Sequence, residues 1–284
     1  MSPELAHAPR HRGSPHRLAL ILGAPTILFL VVLFAYPMLR LLAFSVENGN
    51  LQYYEQALTD GLYLEVMWRT FKLAGIVTLL ALLLGYPIAH FLATAPRSWA
   101  LAGMICVVLP FWTSLLVRTY AWMILLGNNG LINRVLQGLN LIEDPIPLMN
   151  NELGVTIGMI HVLLPYFVFP VYSAMLRVDR SLMTAARGLG ASRWSALRLI
   201  YFPLTLNGVI AGCSLVFILS LGFFITPAIL GGGRVMTIAL LIEQQVNQAL
   251  NWQFAAALCA ILLIATLAIY ALLQRWSRSG ASHA

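Results

Sequence analysis

Lys72 is the only lysine in the chain, and it follows Phe71. A phosphate-binding loop needs its lysine directly after a glycine, so no such loop is present to hydrolyse a nucleotide. Neither a Gly-x-Ser-x-Gly elbow nor a His-Glu-x-x-His pair occurs either. Cys106, Cys213 and Cys259 lie far apart inside apolar runs, without metal-ligand spacing, and read as packing residues. His7, His11 and His16 could hold a metal but read more simply as part of a solvated tail. His90 and His161 lie in apolar runs and could relay protons; with no carboxylate within a helical turn of either, packing is the simpler role. The chemistry left to this chain is recognition.

Tyr120, Trp122, Tyr166, Phe167, Phe223 and Phe224 offer π faces to a cation, or else fill a core. Pro110, Pro165 and Pro170 free backbone carbonyls that can line a cavity but cannot face lipid. Arg118 stands nineteen residues past Trp99, about 28 Å along a straight helix. It could snorkel to an outer interface or shape a gate there. Glu243 is a further carboxylate near the end of an apolar stretch, a candidate for the same path.

Composition decides where these residues sit. The chain of 284 residues is 60% hydrophobic and 10% charged, against about 25% charged in soluble domains. Runs of twenty or so apolar residues predict six membrane spans at about 18–42, 70–93, 99–126, 154–176, 207–230 and 254–273. The fourth is interrupted by Pro165 and Pro170. The third, at 28 residues, is about 42 Å long as a straight helix and must tilt, kink or protrude. Gly154/Gly158 and Gly208/Gly212 are small-residue pairs that permit close helix approach.

Charge sets the orientation. The tail 1–17, the turn Ala95–Ser98, the loop 177–206 and the end 277–284 with its approach hold 11 of the 17 basic residues. The opposite loops hold eight of the ten acidic residues and three arginines, a local balance of −5. The positive-inside rule predicts cytoplasmic termini and a cytoplasmic loop 177–206. The acidic outer loops favour a cationic solute or serve the docking of a binding protein.

Met183–Pro203 is a polar island between apolar runs. Leu182, Ala185, Ala186 and Leu189 fall on one stripe of a short helix, with Arg180, Thr184 and Arg187 opposite. Asp179 or Ser181 can cap its start, and Gly190 stands where a left-handed residue would end it. Ser192 can cap a second helix on which Trp194, Leu197 and Tyr201 share a face, and Pro203 opposes simple continuation. Two short helices meeting at a glycine make a docking knob.

The spacing within this island resembles that of the permease subunits of ATP-binding-cassette (ABC) importers. Their cytoplasmic loop reads Glu-Ala-Ala, three residues, Gly, nine residues, Ile, one residue, Leu-Pro. Thr184, Ala185, Ala186, Gly190, Ile200, Phe202 and Pro203 occupy those positions with both gaps intact. Thr184 replaces the acidic residue, which bears on a salt bridge that the family's Glu could make to the ATPase; Phe202 replaces Leu. Leu109–Leu126, His161–Leu176, Phe223–Gly232 and Gly85-Tyr86-Pro87 resemble the spermidine/putrescine branch of these permeases.

The resemblance implies an all-α, six-transmembrane-helix protein with the type I ABC importer permease fold and a cytoplasmic coupling-helix loop at 177–206. It implies a second permease chain, two copies of an ATP-binding subunit and an external solute-binding protein. ATP would be bound by the partner, with no cofactor in this chain, and the residence would be the bacterial inner membrane. A secondary transporter would want midplane carboxylates and repeat symmetry, and a membrane enzyme a catalytic constellation; none is visible.

Overall fold

A computed structural model describes residues 15–46 and 51–281, and side chains within 23–46, 51–179 and 181–272. Most of the basic tail expected over residues 1–17, and the last residues of the tail 277–284, lie outside the described residues. The helices in chain order are α1 (Pro15–Leu30), α2 (Tyr36–Phe44), α3 (Gln52–Thr59), α4 (Gly61–Thr94), α5 (Arg97–Val108), α6 (Leu115–Leu126) and α7 (Leu131–Gly138). Then follow α8 (Glu152–Leu176), α9 (Arg180–Gly188), α10 (Arg193–Ala196), α11 (Phe202–Leu221), α12 (Ile225–Leu230), α13 (Ile238–Asn247) and α14 (Trp252–Ala281).

Among the described residues, five stretches of helix are long and apolar enough to cross a membrane, and a sixth crossing arises if one bent pair counts as a single span. That pair is the expected third span. Arg97–Trp112 and Leu115–Gly138 meet at 104°. Pro110 opens a short 3-10 turn, Leu109–Trp112, and Thr113 and Ser114 then take extended backbone angles that stop the helix. The overlong stretch therefore kinks, and the straight-helix height for Arg118 does not apply.

Prolines elsewhere have other outcomes. Pro165 and Pro170 do not interrupt α8, which runs unbroken from Glu152 to Leu176. Nor does Pro203 end its helix: a π-turn at Leu197–Tyr201 carries α10 into α11, giving one stretch from Arg193 to Leu221. The Phe202 N–H reaches back to the Leu197 carbonyl, five residues away. The widened turn makes room for the ring that would otherwise strike the carbonyl four residues back. The same device precedes Pro37, where Val31–Ala35 forms a π-turn and the Tyr36 N–H reaches the Val31 carbonyl. The helix expected to start near residue 207 thus begins inside the docking loop.

Three helices make the core. α4, α8 and α11 pack together, with Leu73, Val77, Met159, Leu163, Phe167 and Val216 buried between them. Phe167 is fully buried because α4 and α11 each present a glycine to it. A Cβ on Gly85 would collide with its ring, and one on Gly212 would lie 2.9 Å from Cδ2 and 3.0 Å from the Phe167 carbonyl oxygen. Gly208 likewise lies against Pro170 and Ala174 of α8, whereas Gly158 faces Thr226 and Leu230 of α12.

A second cluster joins α3, α4, α13 and α14, where the Phe254 ring meets Tyr53 at 6.0 Å and Tyr63 at 4.9 Å. Along Gly23–Phe44 the most apolar window has no buried residue. An apolar helix in that state must face lipid or another chain.

Substitution Gly212→Val should lower stability by about 1–3 kcal/mol, because the close approach of α11 to α8 has no space for a β-branched side chain. Gly75→Val, where a Cβ meets nothing within 4 Å, should cost less than half as much. Thermal unfolding of the detergent-solubilised chain reads the difference; equal shifts would contradict the packing.

Candidate functional site

The polar island folds as a knob at the ends of α8 and α11. Asp179 starts α9: its Oδ1 accepts from the Ser181 backbone N–H at 2.8 Å. That bond holds the Asp179 carboxyl below the usual carboxylate range. The cap is therefore complete at neutral pH and is lost only as pH falls through this depressed pKa. Ser192 caps α10 through its Oγ, which accepts from the Ser195 N–H at 3.1 Å. Between the two helices, the Gly190 N–H donates to the Arg187 carbonyl at 3.1 Å and the Ala191 N–H to the Ala186 carbonyl at 3.0 Å. These are the paired bonds of a left-handed helix stop, and Gly190 has φ +91°.

The expected apolar stripe of α9 divides. Ala186 is buried and Met183 packs on the core, whereas Leu182, Ala185 and Leu189 point outward, Leu189 at 91% exposure. Helical periodicity places residues on a face without saying what covers it. Thr184 and Pro203 are exposed as well, and Ile200 is half-buried in the π-turn. Trp194 is 73% exposed, so it does not share the inward face of Leu197 and Tyr201. The knob thus presents a leucine ridge to the exterior.

The second group of candidate residues divides in the same way. Arg118 and Trp122 on α6 meet His161 and Tyr166 on α8. The Trp122 and His161 rings are edge-on at 5.6 Å, and Arg118 lies within electrostatic reach of both Tyr166 and His161. Arg118 Nε, His161 Nδ1 and Thr226 Oγ1 are buried without a hydrogen-bond partner among the described residues. Tyr166 also packs on Phe111 at 5.1 Å. Phe223 borders the core, while Tyr120 and Phe224 are exposed. Phe167 is core and offers no face to a solute. Glu243 lies apart on α13, where its Oε1 accepts from Asn247 Nδ2 at 3.1 Å.

At the far end of α4, reasoning from sequence missed a polar clasp. Lys72 Nζ lies 2.6 Å from Glu152 Oε2 at the start of α8. Arg69 Nη2 lies 2.7 Å from Glu65, and Arg69 Nη1 donates to the Arg234 carbonyl at 2.9 Å. The Ile238 N–H donates to Thr70 Oγ1 at 2.9 Å in a buried setting. The solitary lysine was the available signal, but its partner is distant in sequence.

Gly190→Val should destabilise the knob by roughly 1–2 kcal/mol through its positive φ alone, since a Cβ there meets nothing within 4 Å. Gly190→Asn should cost much less, as Asn140 and Asn150 already adopt positive φ in this chain. Hydrogen exchange of the α9 amides reads the contrast; equal protection in both variants would show that the left-handed stop does not hold the knob.

Comparison with known proteins shows the family and the fold. Residues 18–282 match the family described as binding-protein-dependent transport system inner membrane component. The spermidine/putrescine transport system permease protein PotB of Escherichia coli strain K12 is 39% identical over 207 residues, covering 73% of this chain and 75% of that protein. Its namesake in Haemophilus influenzae is 36% identical over 200 residues, 70% of each chain. In fold, the chain is similar to a bacterial alginate ABC transporter solved with a pentasaccharide-bound periplasmic protein. The TM-score is 0.75 at 17% identity, over 95% of this chain and 98% of that one. A further alginate importer structure gives 0.72 at 18% identity, over 93% and 96%. The fold is that of type I importer permeases, and the chain belongs to the binding-protein-dependent transport system inner membrane component family, as a permease subunit of an ABC importer.

Proposed function

We propose that this permease subunit carries a polyamine, such as putrescine or spermidine, inward across the bacterial inner membrane. It works with a second permease chain, two copies of an ATP-binding subunit and an external solute-binding protein. The observation that carries the cargo assignment is the 36–39% identity to two spermidine/putrescine permeases over most of the chain. The acidic outer loops support it, because their field concentrates cations at the mouth. Aromatic faces at Trp122, Tyr166 and Phe223 support it further, each worth on the order of 0.5–2 kcal/mol to a desolvated ammonium.

In this reading both termini and the knob are cytoplasmic. Thr184, Ala185, Ala186, Gly190, Ile200 and Pro203 form the coupling motif. The ATPase binds ATP and seats against the Leu182/Leu189 ridge, and this chain needs neither its own nucleotide site nor a cofactor. Closure of the ATPase dimer draws two such knobs together. Because α10 continues into α11 through the π-turn, that displacement passes directly into a core helix. Arg118, Tyr120, Phe224 and Glu243 contribute to the translocation path or its gate.

Two measurements test this. The reconstituted complex with its binding protein should show ATP-dependent uptake of labelled putrescine or spermidine; robust uptake of an anionic solute with neither polyamine would overturn the cargo. Thr184→Glu should keep uptake within about twofold and Thr184→Arg should lose most of it, because Arg180 and Arg187 already share that face and like charges at i, i+3 or i+4 repel. Equal uptake in both variants would remove position 184 from the ATPase contact.

A further inference from the structure

Two adjoining cavities occupy the end of the bundle where α4 and α8 finish and α11 begins. The first, of about 670 Å³, is walled by Met175, Val178, Met183 and Leu197, with Arg187 and Arg193 among its polar lining. The second, of about 460 Å³, runs along Tyr86, Pro87, Trp194 and Phe202 beside Arg198. They share His90 and Leu197. Among the described residues no carboxylate lines either cavity, and none of the ion pairs uses these three arginines.

An apolar slot opening onto a cluster of cations matches a molecule with a hydrocarbon body and an anionic head. We propose that the paired cavities hold an anionic phospholipid of the inner leaflet, its phosphate at Arg187 and Arg193 and its acyl chain along Tyr86, Pro87 and Phe202. The placement rests on the reading above that this end of the bundle is cytoplasmic. Basic pockets between spanning helices on that side bind acidic headgroups, and the local negative surface potential adds to the attraction. Exposed Trp194 stands beside the slot, a residue type suited to headgroup depth. The volumes also fall within the range that holds a small ligand or part of a lipid.

The consequence concerns coupling. Arg187 belongs to α9 and Arg193 to α10, whereas His90 belongs to α4 and Met175 to α8. A lipid in the slot joins the knob to the core helices and stiffens the lever between them.

The test counts lipid on the assembled complex. Complexes taken from nanodiscs of phosphatidylcholine with a rising fraction of phosphatidylglycerol are examined by native mass spectrometry, without ATP or solute. The wild type should retain phosphatidylglycerol at least about tenfold better than the double variant Arg187→Gln/Arg193→Gln, as loss of two cations near a charged surface implies. Arg234→Gln at the far end should match the wild type. Ala93→Phe, which fills the first cavity and keeps both arginines, should also lose the lipid. Equal retention in the wild type, the double variant and Ala93→Phe would overturn the proposal. Displacement of the lipid by low-millimolar inorganic phosphate would overturn it as well, by showing a site for a free anion. Retention is read without transport, so a failed uptake assay leaves this result standing, and normal uptake with equal retention removes only the lipid.

Discussion

One ring between two glycines holds the bundle together. In lipid, burying apolar surface against another helix gains little, so spanning helices cohere by close approach and dispersion. Phe167 of α8 meets that constraint by filling the space that Gly85 of α4 and Gly212 of α11 leave open. The three helices so joined are also those whose ends define the knob and the cavities beside it. A side chain at either glycine would part the helices and displace α9 with them.

Prolines shape the remainder, each according to the space around it. At Pro110 the chain gives up its helix and turns by 104°; beyond the bend Trp122 lies edge-on to His161, and Arg118 is within electrostatic reach of His161 and Tyr166. At Pro37 and Pro203 it widens into a π-turn two residues ahead of the ring and continues. At Pro165 and Pro170 it does neither, and α8 continues through both while packed against α4 and α11. The continuation at Pro203 makes the second knob helix and the core helix α11 one unbroken stretch.

These outcomes mark what the sequence could reveal. The knob was legible because its determinants are local: Asp179 caps two residues ahead, Ser192 three, and Gly190 closes a turn already in register. The family spacing was legible for the same reason. That the third span could not be straight followed from its length and Pro110, but its angle depends on Thr113 and Ser114 taking extended angles. The split stripe of α9 was hidden, because Leu182 and Leu189 differ from Ala186 in their surroundings rather than their periodicity. The Lys72–Glu152 clasp was hidden too, since nothing local ties α4 to the start of α8. The burial of Arg118 Nε and His161 Nδ1 without a hydrogen-bond partner among the described residues likewise depends on tertiary packing.

Coupling through the knob requires the outward ridge of α9 to meet the ATP-binding subunit. A photo-crosslinking residue at Leu189, with a second at Leu141 in the loop after α7 as the opposite-end control, probes that contact in membranes containing the whole complex. Both positions are exposed, at 91% and 66%. Illumination should join the ATPase to position 189 and not to 141, with a yield that changes on adding ATP. An adduct at 141 and none at 189 would place the ATPase at the other end of the bundle and contradict the coupling role of the knob.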